Sequence, residues 1–185
     1  MTRSLLPLPM SPAQALGLIR EAAALLPPKM DSEPARVQVL AQCLQESSLA
    51  YRRQMGDGPA RGLAQFERGG GVAGVLHHPL SRDLARGVCE ARGVAVNTLA
   101  VWTALEFDDV LNMALSRLLL WTDPRKLPDP DEFIDPDHHI DPNDPNASAS
   151  WRLYYRVWRP GKPHINKWPK NHATALAAVR AEGEA

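Results

Sequence analysis

"DVLNMALSRLLLWT", Asp109 to Thr122, is apolar on most sides of a helix. A helix without a broad polar face belongs inside a protein. The stretch therefore predicts the central helix of a helical core, opened by Asp108 or Asp109 and closed by Pro124. Its neighbours carry start and stop signals of their own. Ser11-Pro12 reads as N-cap and first position of a helix to about Leu26, with Leu16, Ile19, Ala23 and Leu26 in helical spacing and Pro27-Pro28 as the stop. Asp31 or Ser32 caps a second helix with Pro34 in its first turn. Ser81 opens a third helix that stops at Gly93, and Asn97 a fourth to about Phe107. "WRLYYRVWRPG", from Trp151, starts as a helix and stops at Arg159-Pro160-Gly161; a last helix covers about Asn171 to Ala181.

Two stretches interrupt this pattern. Residues 50–80 are rich in glycine and charge and read as loop, with room for a small hairpin or irregular sheet. Residues 123–150 are packed with Asp-Pro and Pro-Asp steps, which remove donors and disfavour helix, so a long extended loop is expected. The fold class expected is mainly α: a helical bundle around a central apolar helix, with a small irregular Gly-rich lobe and a long Pro/Asp-rich loop. The 185 residues fit one domain, with residues 1–30 as an N-terminal helix extension.

Composition excludes several classes. Lys+Arg and Asp+Glu both number 21, which gives no basic excess for a nucleic-acid partner. No run approaches the roughly twenty apolar residues of a membrane span. "MTRSLLPLPMSPAQ" does not read as a signal peptide, because its apolar run is short and broken by two prolines, so none is expected. Synthesis in the cytoplasm is expected. Cys43 and Cys89 fall among apolar neighbours in helices and read as buried free thiols.

The chemistry concentrates in "QESSLAYRRQMGDGPARGLAQFE", Gln45 to Glu67. The second helix has one apolar stripe, Val37, Leu40, Ala41 and Leu44, and another through Val39, Cys43 and Glu46. Glu46 thus continues an apolar face close to a helix C-terminus. Burial and the negative helix end both disfavour a carboxylate, so both raise its pKa towards that of a general acid at neutral pH. The competing reading is a solvated glutamate at a helix end.

The pair Glu46-Ser47 followed by Gly62-Leu63-Ala64-Gln65 resembles the lytic transglycosylase and goose-type lysozyme group of the lysozyme superfamily, including lysozyme-like proteins of tailed bacteriophages or prophages. The match covers about residues 35–67 and, more loosely, 108–161. Ala64 stands where methionine or tryptophan is more usual. "LYYRVWRPG", Leu153 to Gly161, takes the place of the group's Ala-Tyr-Asn-Ala-Gly segment without its asparagine. The resemblance implies an α+β lysozyme-like fold and cleavage of the MurNAc-GlcNAc bond of peptidoglycan. It makes Glu46 the acid, with Gln65 and either Tyr154 or Tyr155 at the sugar. It implies no cofactor, action at the periplasmic wall, and delivery in a virion, with other virion proteins as partners, or release at lysis.

A hydrolase needs a second carboxylate, and Asp57 and Glu67 are the candidates. A transglycosylase does not, since the sugar's own C6 hydroxyl attacks; this outcome is favoured over a muramidase. Asp57 between two glycines reads equally as turn chemistry. Ser47 either holds Glu46 or caps the helix end, and Gln65 either meets substrate or steadies its turn. Tyr155 and Trp158, three apart, form a wall for a glycan or part of an aromatic core. The alternative to an enzyme is a non-catalytic structural or wall-binding virion component. His77-His78 and His138-His139 lack zinc-site spacing, and Asp129, Asp131, Asp135, Asp137, Asp141 and Asp144 lack the calcium-loop pattern, so no metal is expected.

Overall fold

The computed structural model describes residues 5–132 and 147–183. It is mainly helical, and no strand occurs among the described residues. Helix α1 is Pro12–Ala23, α2 Glu33–Ser47, α3 Ala73–His77 and α4 Arg82–Ala91. Helix α5 is Thr98–Ala104, α6 Asp109–Trp121, α7 Ala149–Trp158 and α8 Trp168–Gly183.

Helix α6 is the hub. Every residue from Asp109 to Leu120 is buried. Asp108 caps it, its carboxylate accepting from the Leu111 amide at 2.9 Å. The buried Asp109 carboxylate is taken by both arms of the Arg52 guanidinium, at 2.8 and 2.7 Å, so this acid is paired where it leaves water. Helices α1, α2, α3, α4 and α7 pack against α6, and α2 is also covered by α1, α7 and α8. The Cys43 and Cys89 thiols are free and buried. No described helix is long and apolar enough to cross a membrane.

Local chemistry sets the helix ends. Ser11 and Gln14 form a reciprocal capping box at α1, at 3.2 and 2.9 Å. Helix α1 stops at Ala23, a few residues before the expected Leu26, and Pro28 starts a separate 3-10 turn. Ser32 rather than Asp31 caps α2; Asp31 instead holds Arg36 through two contacts of 2.7 Å. Ser81 precedes α4 without capping it, because its hydroxyl donates to the Val75 carbonyl at 2.7 Å. Helix α8 begins at Trp168 and ends at Gly183, longer at both ends than expected.

The 50–80 region departs most from its reading as loop. It holds two isolated antiparallel bridges, Arg53 with Arg61 and Arg61 with Phe66. Beyond them, Arg68–Val72 form a π-helical turn that runs directly into α3. Three successive glycines lie inside this turn, and glycine is ordinarily a helix breaker. Of the acidic loop, the described part is tied down. Asp131 and Glu33 share Arg180, at 2.7 and 2.9 Å, and the Glu132 carboxylate accepts from the Ala149 and Ser150 amides at the start of α7. His138, His139, Asp135, Asp137, Asp141 and Asp144 lie outside the described residues.

Candidate active site

Glu46 sits one residue before the end of α2, where the chain reverses. Ser48 and Leu49 both adopt left-handed backbone, φ 52° and 55°. For a buried leucine that conformation is strained by about 1 kcal/mol or more. It is held by a hydrogen bond from the Met10 amide to the Leu49 carbonyl at 2.9 Å. The α2 terminus is fastened to the end of the chain as well: the Gln45 amide donates to the His164 carbonyl at 2.9 Å and accepts from Asn171 at 2.8 Å.

The Tyr154 hydroxyl, from the buried face of α7, donates to Glu46 Oε1 at 2.5 Å. Burial pushes the Glu46 carboxyl up to about 7; the Tyr154 hydrogen bond pulls the other way, and the negative charge of Glu67 adds to the rise. Burial and the neighbouring carboxylate hold the Tyr154 phenol well above its usual range, so it stays the donor. Glu46 is therefore largely protonated below neutrality, as proton donation to a leaving group requires. Of the two adjacent tyrosines, the one turned to Glu46 is Tyr154. Tyr155 stacks on Trp151, centroids 6.0 Å apart.

The Gly62-Leu63-Ala64-Gln65 turn is held from two sides. Asn112 of α6 accepts from the Ala64 amide at 3.1 Å, and the Trp158 indole donates to the Ala64 carbonyl at 3.0 Å. Gly62 has φ 74°, and a Cβ there would sit 1.9 Å from Asn112 Nδ2, so both backbone and space require glycine. Gln65 is left-handed too, φ 52°, and its amide donates back to the Gly62 carbonyl at 2.8 Å. It steadies its own turn while lining the groove beyond. Ser47 behaves locally: its hydroxyl donates to the Cys43 carbonyl at 3.1 Å, one turn back, and makes no bond to Glu46.

That groove encloses about 600 Å³. One wall is Gln65, Phe66, Glu67 and the π-helical glycines; the other is Arg156 to Arg159 with Thr122, Asp123 and Pro124. Trp158 meets Phe66 edge-on, centroids 5.4 Å apart. Asp123 is spoken for: its ion pair with Arg156 at 2.5 Å helps hold its carboxyl below the usual range against burial. Glu67 lines the groove, whereas Asp57 is exposed at 90% of its side chain and 3.5 Å from Arg53, so the structure does not bring it to the groove lining. His78 also lines it, with Nδ1 accepting from the Leu80 amide at 3.2 Å. Among the described residues no three His, Cys, Asp or Glu gather as metal ligands.

No family model, curated protein or solved structure matches this chain.

Sequence reasoning missed three elements of this arrangement. Asn112 was legible as a lone amide in an apolar helix. The glycine wall had a signal in the Gly69-Gly70-Gly71 run, and Arg156 with Asp123 had none, because ion partners 33 residues apart leave no periodic trace.

Proposed function

We propose that this chain is a lysozyme-superfamily enzyme that cleaves the glycan strand of peptidoglycan, with Glu46 as the general acid. The observation that carries this reading is the Glu46 carboxyl itself: its pKa is raised to about 7 by burial, and it is oriented by Tyr154 on the helix that also supplies Trp158 to the groove. The order of Glu46-Ser47, the Gly62–Gln65 turn and the Tyr154 helix supports it, since α7 bonds to both of the others, Tyr154 to Glu46 and Trp158 to the Ala64 carbonyl, although Glu46 and Tyr154 do not themselves line the groove. The glycosidic oxygen is a poor leaving group, so the bond breaks as Glu46 hands it a proton. The glycan would run along the groove, its sugar faces against Trp158 and the glycine backbone.

A lytic transglycosylase is the form best supported. Asp57 points to solvent beside Arg53, and Asp123 is neutralised by Arg156. Glu67 is the remaining groove carboxylate and the candidate base if the enzyme is a muramidase. One observation favours the non-catalytic virion component instead: the Gln65 amide is turned into its own backbone rather than outward.

The test is a digest of purified peptidoglycan with wild type and Glu46→Gln, products read by mass spectrometry. Products ending in 1,6-anhydro sugars, lost in the variant, are expected. Reducing ends would make the protein a muramidase and direct attention to Glu67. No release by folded wild type would leave the binding role.

A further inference from the structure

Helix α2 carries three long polar side chains at one-turn intervals on the side facing α7: Gln38, Gln42 and Glu46. The outer two are used. The Gln38 amide donates to the Ser150 carbonyl at 3.1 Å, and Glu46 accepts from Tyr154 at 2.5 Å. Ser150 and Tyr154 are themselves one turn apart on α7. Gln42 lies between these two bridges and is fully buried, yet neither its amide nitrogen nor its amide oxygen has a hydrogen-bond partner.

A buried amide without partners is unfavourable, and an apolar side chain of the same size would serve packing better. Such a group calls for a partner, and a neighbour whose protonation changes is one that can supply it. Glu46, four residues on along α2, is a neighbour whose charge can change. It is one turn away on the same helix, Tyr154 occupies only its Oε1, and Oε2 accepts no hydrogen bond among the described residues. A neutral carboxyl in this position asks for little. After proton transfer it becomes an anion in a poorly hydrated place, and a donor within reach then gains most.

We propose that Gln42 is a positioning residue for Glu46: its amide swings onto the carboxylate when Glu46 gives up its proton, and swings back when the proton returns. Together with Tyr154 it gives the ionised acid one donor for each oxygen. The other ionisable groups around Glu46 cannot fill this role. Glu67, from the groove wall, repels the anion; Cys43, on α2, is a buried neutral thiol; Tyr154, from α7, is already engaged. The proposal rests on Glu46 being the acid, but the contact itself can be measured without turnover.

The experiment follows the Glu46 carboxyl by carbon NMR as pH is varied, assigned by difference from Glu46→Gln, in wild type and in Gln42→Met. Methionine keeps the shape and removes the donor. The Glu46 midpoint is expected to rise by about one unit in Gln42→Met, since a donor to the charged form is lost, with thermal stability held or improved. An unmoved midpoint would overturn the proposal. If Gln42→Met fails to fold, wild type alone decides: the Gln42 side-chain amide signals should shift with the Glu46 midpoint and stay still in Glu46→Gln. Signals indifferent to Glu46 would overturn it. Should these arms succeed while wild type releases no glycan fragments, the Gln42–Glu46 contact stands and the enzymatic reading falls.

Discussion

Trp158 and Asn112 grip the same peptide unit pair of Ala64, the indole at its carbonyl and the amide at its N–H, at 3.0 and 3.1 Å. The groove wall on α7 and the core helix α6 are thereby set in register with the Gly62–Gln65 turn. Trp158→Phe keeps an aromatic ring beside Phe66 and loses this bond together with part of the ring surface in the groove. Stability should fall by about 1 kcal/mol, while affinity for glycan fragments, measured by calorimetry in a Glu46→Gln background, should fall by roughly tenfold through displacement of the wall. Asn112→Ala should be worse for folding, by about 2–4 kcal/mol, because it leaves the buried Ala64 N–H alone and opens a cavity beside Gly62.

The raised Glu46 carboxyl makes stability fall with rising pH, and in the proposed role of Glu46 cleavage should fall with it. The native state holds its proton up to about 7, whereas the unfolded chain loses it near the ordinary glutamate value of 4.5. Between those limits the native state binds more protons, so stability decreases as pH climbs. The stabilisation is fully present below about 4.5 and gone above about 7; its upper bound is roughly 3 kcal/mol. Glu46→Gln should therefore gain thermal stability relative to wild type as pH is raised from 5 to 8. Glycan cleavage by wild type should decline above about pH 7 as the acid loses its proton.

Tyr154→Phe removes the interaction that holds the Glu46 carboxyl down. The pH at which cleavage declines should then move upward, because the anion has lost a donor. Turnover should drop by about 10- to 100-fold from loss of orientation. A variant that loses turnover with an unmoved pH limb would show that Tyr154 serves packing alone. Tyr155→Phe, on the stacked side, should leave the limb in place.

The three π-helical glycines divide into two kinds. A Cβ at Gly71 would sit 2.6 Å from the Phe66 ring, so Gly71→Ala should destabilise the protein by about 1–3 kcal/mol. A Cβ at Gly69 meets nothing, and one at Gly70 meets only the Glu67 Cβ at 3.8 Å. Gly69→Ala and Gly70→Ala should thus raise stability by up to about 1 kcal/mol. Gly70→Leu, which fills the groove edge, should fold normally and lose glycan binding. Melting curves and calorimetry on the same samples separate the two effects.

Much of this was legible before any coordinates. The apolar face pattern of residues 109–122 gave the buried hub, and Ser11, Ser32, Asn97 and Asp108 marked helix starts through a local rule, an oxygen side chain reaching the third amide along. What stayed hidden depended on contacts across the chain. Tyr154 and Tyr155 are indistinguishable as neighbours in sequence, and only the facing of α7 against α2 sends one to Glu46. The Gly-Gly-Gly run reads as a break because local propensity says so; packing of Phe66 and Leu119 against it makes a helix of it instead. The sequence offered Gln65 both as a turn residue and as a sugar contact; its side chain bonds within the turn, and that rotamer could not be read from either.

Glu46 and Tyr154 are 108 positions apart, and the end of α2 is fastened to Asn171 still later in the chain. During synthesis, the carboxyl is made long before its donor and its clamp. A ribosome-bound fragment ending before α7 carries Glu46 without the Tyr154 hydroxyl that bonds it in the folded chain. The Glu46 carboxyl meets its donor and its clamp only when the last quarter of the chain has docked, so the order of synthesis makes these contacts among the last that can form.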